Sequence, residues 1–70
     1  MLHRKRDADM FVKPRLDEVI RLCDANDYVH ADIQINEIYE YFTMHHEAFT
    51  EDDVDCMFWL LKRISRHIYE

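Results

Sequence analysis

The chain has 70 residues, a net charge of −6 and no glycine. A chain this short forms one small domain, and a single core of that size seldom supplies more than about 5 kcal/mol of stability. Because phosphate-binding loops and nucleotide fingerprints need glycine where the backbone approaches the ligand, the composition excludes both.

The two cysteines, Cys23 and Cys56, fall within amphipathic helical patterns, and nothing that resembles a signal peptide precedes them. We therefore expect reduced thiols in a cytoplasmic protein. No apolar run approaches the roughly 20 residues of a membrane span, so no membrane contact is expected. So small a core can instead gain stability from a second chain, and a homodimer is predicted.

Charge is distributed unevenly along the chain. Residues 1–15 carry five basic and two acidic side chains, residues 16–61 carry one basic and twelve acidic ones, and residues 62–70 carry three basic and one acidic. An acidic middle repels nucleic acid and attracts basic partners, so nucleic acid is not expected as the main partner. Residues 1–10 lack an apolar pattern and are predicted to form a flexible basic and polar arm before a helical domain over residues 11–70.

The first predicted helix begins at Pro14, because proline is tolerated where its missing N–H would be unpaired. It ends near Asn26, a residue that accepts the left-handed conformation where glycine is lacking. Asp17 and Arg21 stand at the i, i+4 spacing of a helical ion pair. The apolar stripe of this helix consists of Val12, Leu16, Val19, Ile20 and Cys23.

A loop follows in which Tyr28 and Val29 are expected to fold back on the core. Asp32 is the predicted N-cap of the second helix, which ends near Met44. Its apolar face consists of Ile35, Ile38, Tyr39 and Phe42. Three further apolar residues fall outside that face and leave surface available to a partner: Ile33, Tyr41 and Met44.

The third predicted helix covers residues 50–69 and is the element around which the others are arranged. Thr50 and Asp53 stand three residues apart, so each side chain can accept a hydrogen bond from the other residue's backbone N–H. Phe49 precedes this cap at the position of a hydrophobic staple. The apolar stripe consists of Val54, Met57, Phe58, Leu61, Ile64 and Ile68. Three amphipathic helices with short connections predict an all-α three-helix bundle.

Motifs for metal binding and catalysis are weak. Residues 24–37 match a calcium-binding loop at only two ligand positions. His45 and His46 are adjacent and point about 100° apart on a helix, which disfavours a shared zinc ion. Ser65 is the only serine, and no base stands at motif spacing from it. We therefore expect no metal, no cofactor and no enzymatic activity.

Trp59 stands apart from the apolar stripe of the last helix. At 100° per residue it lies on the flank opposite Val54 and Leu61, and Arg63 is its i+4 neighbour. A tryptophan beside an arginine is typical of the residues that dominate binding at protein interfaces. The alternative is that Trp59 packs beneath the N-terminal arm or Phe11.

These features favour a small acidic helical module that binds proteins and acts as an inhibitor or adaptor by occupying a partner's surface. The predicted partner-binding residues are Trp59, Arg63, Arg66, Leu60, Tyr41, Met44, Glu47, Glu51, Asp52 and Asp55. Their carboxylates would face a basic or nucleic-acid-binding surface, as a nucleic-acid mimic does.

In size and composition, without a shared motif, the chain is similar to the small acidic proteins with which bacteriophages block host enzymes or defence complexes. The alternative is a dimeric helical regulator that contacts nucleic acid through its basic N-terminal arm and the basic end of its last helix. A helix-turn-helix reading mode is excluded for the last helix, because its first turn is acidic and would face phosphates.

Overall fold

The structure, a computed structural model, describes residues 11–69. Its three helices are α1 (Lys13–Asp24), α2 (Tyr28–Met44) and α3 (Glu51–Tyr69), and one turn of 3₁₀ helix spans His46–Ala48. No strand occurs between residues 11 and 69. The predicted all-α three-helix bundle is confirmed. The predicted arm over residues 1–10 lies outside the described residues.

Helix α1 has the predicted ends. Pro14 lies in its first turn, and Asn26, just after the helix, has a φ of 61° in the left-handed region. The predicted Asp17–Arg21 ion pair is wrong. The guanidinium of Arg21 instead bonds to the carboxylate of Glu18, with Nε 3.1 Å from Oε1, because residues three apart also lie side by side on a helix.

Helix α2 begins earlier than predicted, because Asp27 rather than Asp32 is its N-cap. The carboxylate of Asp27 accepts a hydrogen bond from the backbone N–H of His30 at 3.3 Å and lies 2.8 Å from the imidazole Nδ1 of the same residue. Tyr28 and Val29 therefore belong to the helix. Tyr28 packs against the core, but Val29 is exposed, so the prediction that Val29 folds back is wrong.

We expect Asp27→Ala to lower the melting temperature, because the first turn of α2 loses its cap. The hydrogen bond from the His30 side chain lowers the pKa of the Asp27 carboxyl from its ordinary value of 3.8. Because the pKa is lower in the folded state, the ionised carboxylate stabilises the fold at pH values above 3.8. That contribution disappears as the pH falls through the lowered pKa. Thermal unfolding followed by circular dichroism should show a difference between wild type and variant at pH 7 that shrinks in acid.

The control for this prediction is Asp24→Ala, which removes an exposed carboxylate from the last turn of α1. A carboxylate at a helix C-terminus opposes the helix dipole, so its removal should leave the melting temperature unchanged or raise it slightly. Equal decreases of the melting temperature in Asp24→Ala and Asp27→Ala would contradict the role of Asp27 as the N-cap.

The predicted cap of α3 is confirmed. The hydroxyl of Thr50 accepts a hydrogen bond from the backbone N–H of Asp53 at 3.1 Å, and the Asp53 carboxylate accepts one from the backbone N–H of Thr50 at 3.2 Å. The Asp53 side chain is buried, so the cap is part of the packed structure. Phe49, the predicted staple residue, contacts the ring of Phe42 on α2 at a centroid distance of 5.0 Å.

The buried face of α3 is rotated by about 60° from the predicted stripe, at 100° per residue. Its buried residues are Asp53, Met57, Leu60 and Ile64. Phe58 and Ile68, which belong to the predicted stripe, are exposed. The reason is that α3 packs against both α1 and α2, so the face between those two helices is buried. Phe58 lies beside α2, with its ring 6.2 Å from that of Tyr39 and 6.3 Å from that of Phe42.

The core draws residues from all three helices: Val12, Leu16, Val19, Leu22, Cys23, Ala31, Ile35, Ile38, Met57, Leu60 and Ile64. Helix α2 runs antiparallel to α3, because Tyr28 at its start contacts His67 and Phe42 near its end contacts Phe58. None of the helices between residues 11 and 69 combines the length and apolarity that crossing a membrane requires.

Candidate functional site

A groove of about 440 Å³ lies beside the C-terminal half of α3. We call it the cationic groove, and its lining residues are Tyr28, Trp59, Lys62, Arg63, Arg66 and His67. Helix α3 supplies five of the six, and the antiparallel packing of α2 adds Tyr28, whose ring stacks on that of His67. Three of the predicted partner-binding residues, Trp59, Arg63 and Arg66, therefore meet in one place.

Trp59 is the largest side chain in the cationic groove and is 57 % exposed. The guanidinium carbon of Arg63, one helical turn further on, lies 5.5 Å from the centroid of the indole ring. That distance is within the range of a cation–π interaction. The contact holds both side chains against the helix, so less conformational entropy is lost when a partner covers them.

Two further lining residues of the groove, Tyr28 and His67, form a stack of two rings. The centroids of Tyr28 and His67 are 3.6 Å apart and their planes are inclined by 19°. The stack fixes the beginning of α2 against the end of α3. Aromatic and cationic side chains therefore share the lining of the groove.

The electrostatic character of the groove is positive. Lys62, Arg63 and Arg66 are cations, and none of the six lining residues carries a carboxylate. The chain as a whole has a net charge of −6, so the charge of this groove is opposite in sign to that of the chain. A ligand of this groove should therefore carry negative charge together with apolar or aromatic groups.

The predicted acidic residues lie at the other end of α3. Glu47 belongs to the 3₁₀ turn, and Glu51, Asp52 and Asp55 lie in the first two turns of α3, all exposed. Met44 ends α2 nearby and is 66 % exposed. Asp52 is 14 positions before Arg66, which is about 21 Å along a helix. The predicted carboxylates and the predicted cations therefore lie toward opposite ends of α3.

Two of the predicted partner-binding residues lie neither in the cationic groove nor at the acidic end of α3. Leu60 has an exposed fraction of 0 %, so its prediction as a surface residue is wrong; it lies on the face that packs between α1 and α2. Tyr41 is half-buried, and its ring lies 4.5 Å from those of Phe11 and His45. Phe11 therefore stacks on Tyr41 of α2.

Three residues of the cationic groove were not among the predicted partner-binding residues: Tyr28, Lys62 and His67. Lys62 and His67 follow Trp59 by three and eight positions, so helical spacing alone would have placed them near it. Tyr28 is 31 positions away from Trp59 in sequence. Only the antiparallel packing of α2 against α3 brings it to the groove.

The residues considered for metal binding have other surroundings in the structure. Residues 28–37 are helical, which leaves three residues between α1 and α2 instead of a calcium-binding loop. The ring of His46 stacks on that of Phe42, and the ring of His45 lies 4.5 Å from that of Tyr41. Between residues 11 and 69 no group of three metal-ligating side chains occurs.

Cys23 and Cys56 are both free thiols. Cys23 is part of the core, and Cys56 is half-buried at its edge. Burial raises the pKa of both thiols above the ordinary value of 9.0. A raised pKa keeps a thiol protonated and therefore slow to react at neutral pH.

We expect Trp59→Ala to change the free energy of unfolding of the isolated chain by about 1 kcal/mol or less, because more than half of the side chain is already in solvent and alanine is a strong helix former. Urea denaturation followed by circular dichroism at low protein concentration measures the change. A buried tryptophan would cost about 3–5 kcal/mol instead. A loss of that size would mean that Trp59 is a core residue.

Comparisons of this chain with protein families, with curated proteins and with solved structures give no match.

Proposed function

We propose that this protein acts by binding another protein, as an inhibitor or adaptor does, and that the cationic groove is its main binding site. The observation that carries the proposal is the exposure of Trp59 in a groove whose other side chains are basic or aromatic. The bundle buries its core without this residue. A large exposed tryptophan beside arginines is the composition that dominates binding free energy at protein interfaces.

The chemistry of the groove indicates the segment of the partner that it takes. An acidic peptide segment or helix carrying an apolar or aromatic side chain would pair its carboxylates with Lys62, Arg63 and Arg66. Its apolar side chain would lie against Trp59 or against the Tyr28–His67 stack. Arginine is suited to this task because its planar group both pairs with carboxylates and stacks on rings.

The acidic end of α3 provides a second surface in this proposal. Glu47, Glu51, Asp52 and Asp55 would face a basic region of the partner, and Asp52 lies about 10 Å along the helix from Trp59. Two surfaces of opposite sign on one rigid helix fix the orientation of a bound partner, because reversal of the complex would bring like charges together. A single partner that binds both ends of α3 would be covered and thereby inhibited. Two partners that bind one end each would be brought together, as an adaptor does.

The proposal is tested by affinity capture from the lysate of the native host, with the purified chain and its variants as bait. Trp59→Ala and the double variant Arg63→Ala/Arg66→Ala should lose the captured protein. Val29→Ala is the matched control, since Val29 is 68 % exposed on α2 and does not line the groove. If the Val29→Ala and Trp59→Ala variants retain the captured protein equally, the groove is not the binding site.

The second candidate function is a helical regulator that contacts nucleic acid. The observation in its favour is that cations and exposed rings share the groove, a composition that also suits the backbone and bases of single strands. The basic N-terminal arm that this hypothesis also requires lies outside the described residues. Fluorescence anisotropy with a short single-stranded oligonucleotide and its duplex, at low and moderate salt, separates the two functions. Tight binding that Trp59→Ala abolishes would favour the regulator.

A further inference from the structure

The exposed flank of α3 that contains Trp59 has charges arranged symmetrically about that residue. Asp55 precedes Trp59 by four positions and Arg63 follows it by four; Asp52 precedes it by seven and Arg66 follows it by seven. At 100° per residue all five side chains fall within an arc of about 80°. Arg63 is half-buried and the other four are exposed.

We propose that a second copy of this chain binds to that flank, with the two α3 helices antiparallel and a two-fold axis at Trp59. In this arrangement Asp52 of each chain faces Arg66 of the other, and Asp55 faces Arg63. The two indole rings meet at the centre, where interfaces concentrate their binding free energy. The inference deepens the proposed function and rests on it, because the second copy would cover Trp59, Arg63 and Arg66 of the cationic groove.

Two-fold symmetry is the commonest arrangement of homo-oligomers, and it requires one surface that is complementary to itself. An acidic half and a basic half on either side of an aromatic centre meet this requirement only when the helices are antiparallel. A parallel arrangement would bring carboxylates against carboxylates and guanidinium groups against guanidinium groups, which opposes association. The pattern of charges along the flank therefore specifies both a second copy as the binding partner and the antiparallel orientation of its α3.

The neighbouring charges of α1 leave this pattern intact. Lys13 and Asp17 lie beside Asp52 in a depression, and their opposite charges cancel. The carboxylate of Asp53 lines the same depression, so the acidic half of the flank keeps its negative charge. In the basic half Lys62 adds a third cation to Arg63 and Arg66.

A charge exchange at one pair tests the arrangement, with the dimer dissociation constant measured by sedimentation equilibrium. Asp55→Lys and Arg63→Glu should each weaken the homodimer at least about tenfold, because each puts like charges in contact at both symmetric positions. The double variant Asp55→Lys/Arg63→Glu, and an equimolar mixture of the two single variants, should return to within about threefold of wild type. Within one chain the two positions are eight residues apart and do not contact each other, so the rescue reports on contacts between chains.

Two further measurements keep the test independent of any one variant's folding. The dissociation constant of the wild-type dimer should rise with salt, since the ion pairs are exposed, and Trp59 emission should shift to the blue on association. Glu40→Lys is the control, because Glu40 is exposed on α2 and should leave the dimer unchanged. The proposed dimer would be overturned if the single variants weaken it and neither the double variant nor the mixture restores it. A wild-type chain that stays monomeric up to about 1 mM would also overturn it.

The failure of the dimer and the failure of the proposed function give different results. A monomeric wild type whose Trp59→Ala variant still loses the captured partner would overturn the dimer and leave the binding function in place. A dimer with the predicted rescue, together with partner capture that is insensitive to Trp59→Ala, would support the dimer and overturn the groove as the partner's site.

Discussion

Leu60→Ala is expected to destabilise the chain by about 3 kcal/mol or more, because the leucine side chain is fully buried and its removal leaves a cavity between the helices. In a domain of this size that is a large fraction of the total stability, so the variant should be partly unfolded at 25 °C. Circular dichroism and urea denaturation measure the loss of helix and the free energy of unfolding.

The matched control is the adjacent leucine. Leu61 is half-buried and packs at the edge of the core, so Leu61→Ala should cost about 1 kcal/mol. The comparison separates the observed orientation of α3 from the predicted one, in which Leu61 is central and Leu60 lies on the surface. A larger loss for Leu61→Ala than for Leu60→Ala would favour the predicted orientation.

Asp53→Ala is expected to lower the free energy of unfolding by about 2 kcal/mol, because it removes the acceptor of the Thr50 backbone N–H in a part-buried cap. Asp53→Asn keeps an oxygen acceptor in the same place and should recover part of the loss. Denaturation of the two variants at low protein concentration checks both statements.

Asp52→Ala is the control for the cap. Asp52 is exposed in the same first turn of α3, so its removal weakens only the interaction of a carboxylate with the helix dipole, by about 0.5 kcal/mol. Equal costs at positions 52 and 53 would mean that the carboxylates act through charge alone and that the hydrogen bond of Asp53 adds nothing.

The cap has a further consequence for the site. The reciprocal hydrogen bonds of Thr50 and Asp53 fix where α3 begins. Since residues 51–69 form one continuous helix, they also fix the spacing between its acidic and basic ends. We therefore expect variants of the cap to weaken partner binding and self-association through loss of helix, whereas Trp59→Ala weakens them without loss of helix. Circular dichroism of each variant distinguishes the two causes.

The sequence by itself determined the fold class and most of the helix ends. The absence of glycine and the apolar residues at helical spacing predicted three helices, and the structure has them. Asn26 as a left-handed residue and the Thr50–Asp53 cap are local properties, and both were confirmed. The beginning of α2 was missed because Asp27 and Asp32 have the same side chain. Only Asp27 caps in the structure, where α1 ends at Asp24 and α2 turns back at once.

The tertiary structure decided which face of α3 is buried and therefore what its surface contains. An apolar stripe shows which side chains tolerate burial, but the face that becomes buried depends on how two neighbouring helices meet the third. That is why Leu60 is in the core while Phe58 is exposed. It is also why Tyr28, 31 positions before Trp59, lines the same groove: a contact between distant segments results from packing and is not contained in local spacing.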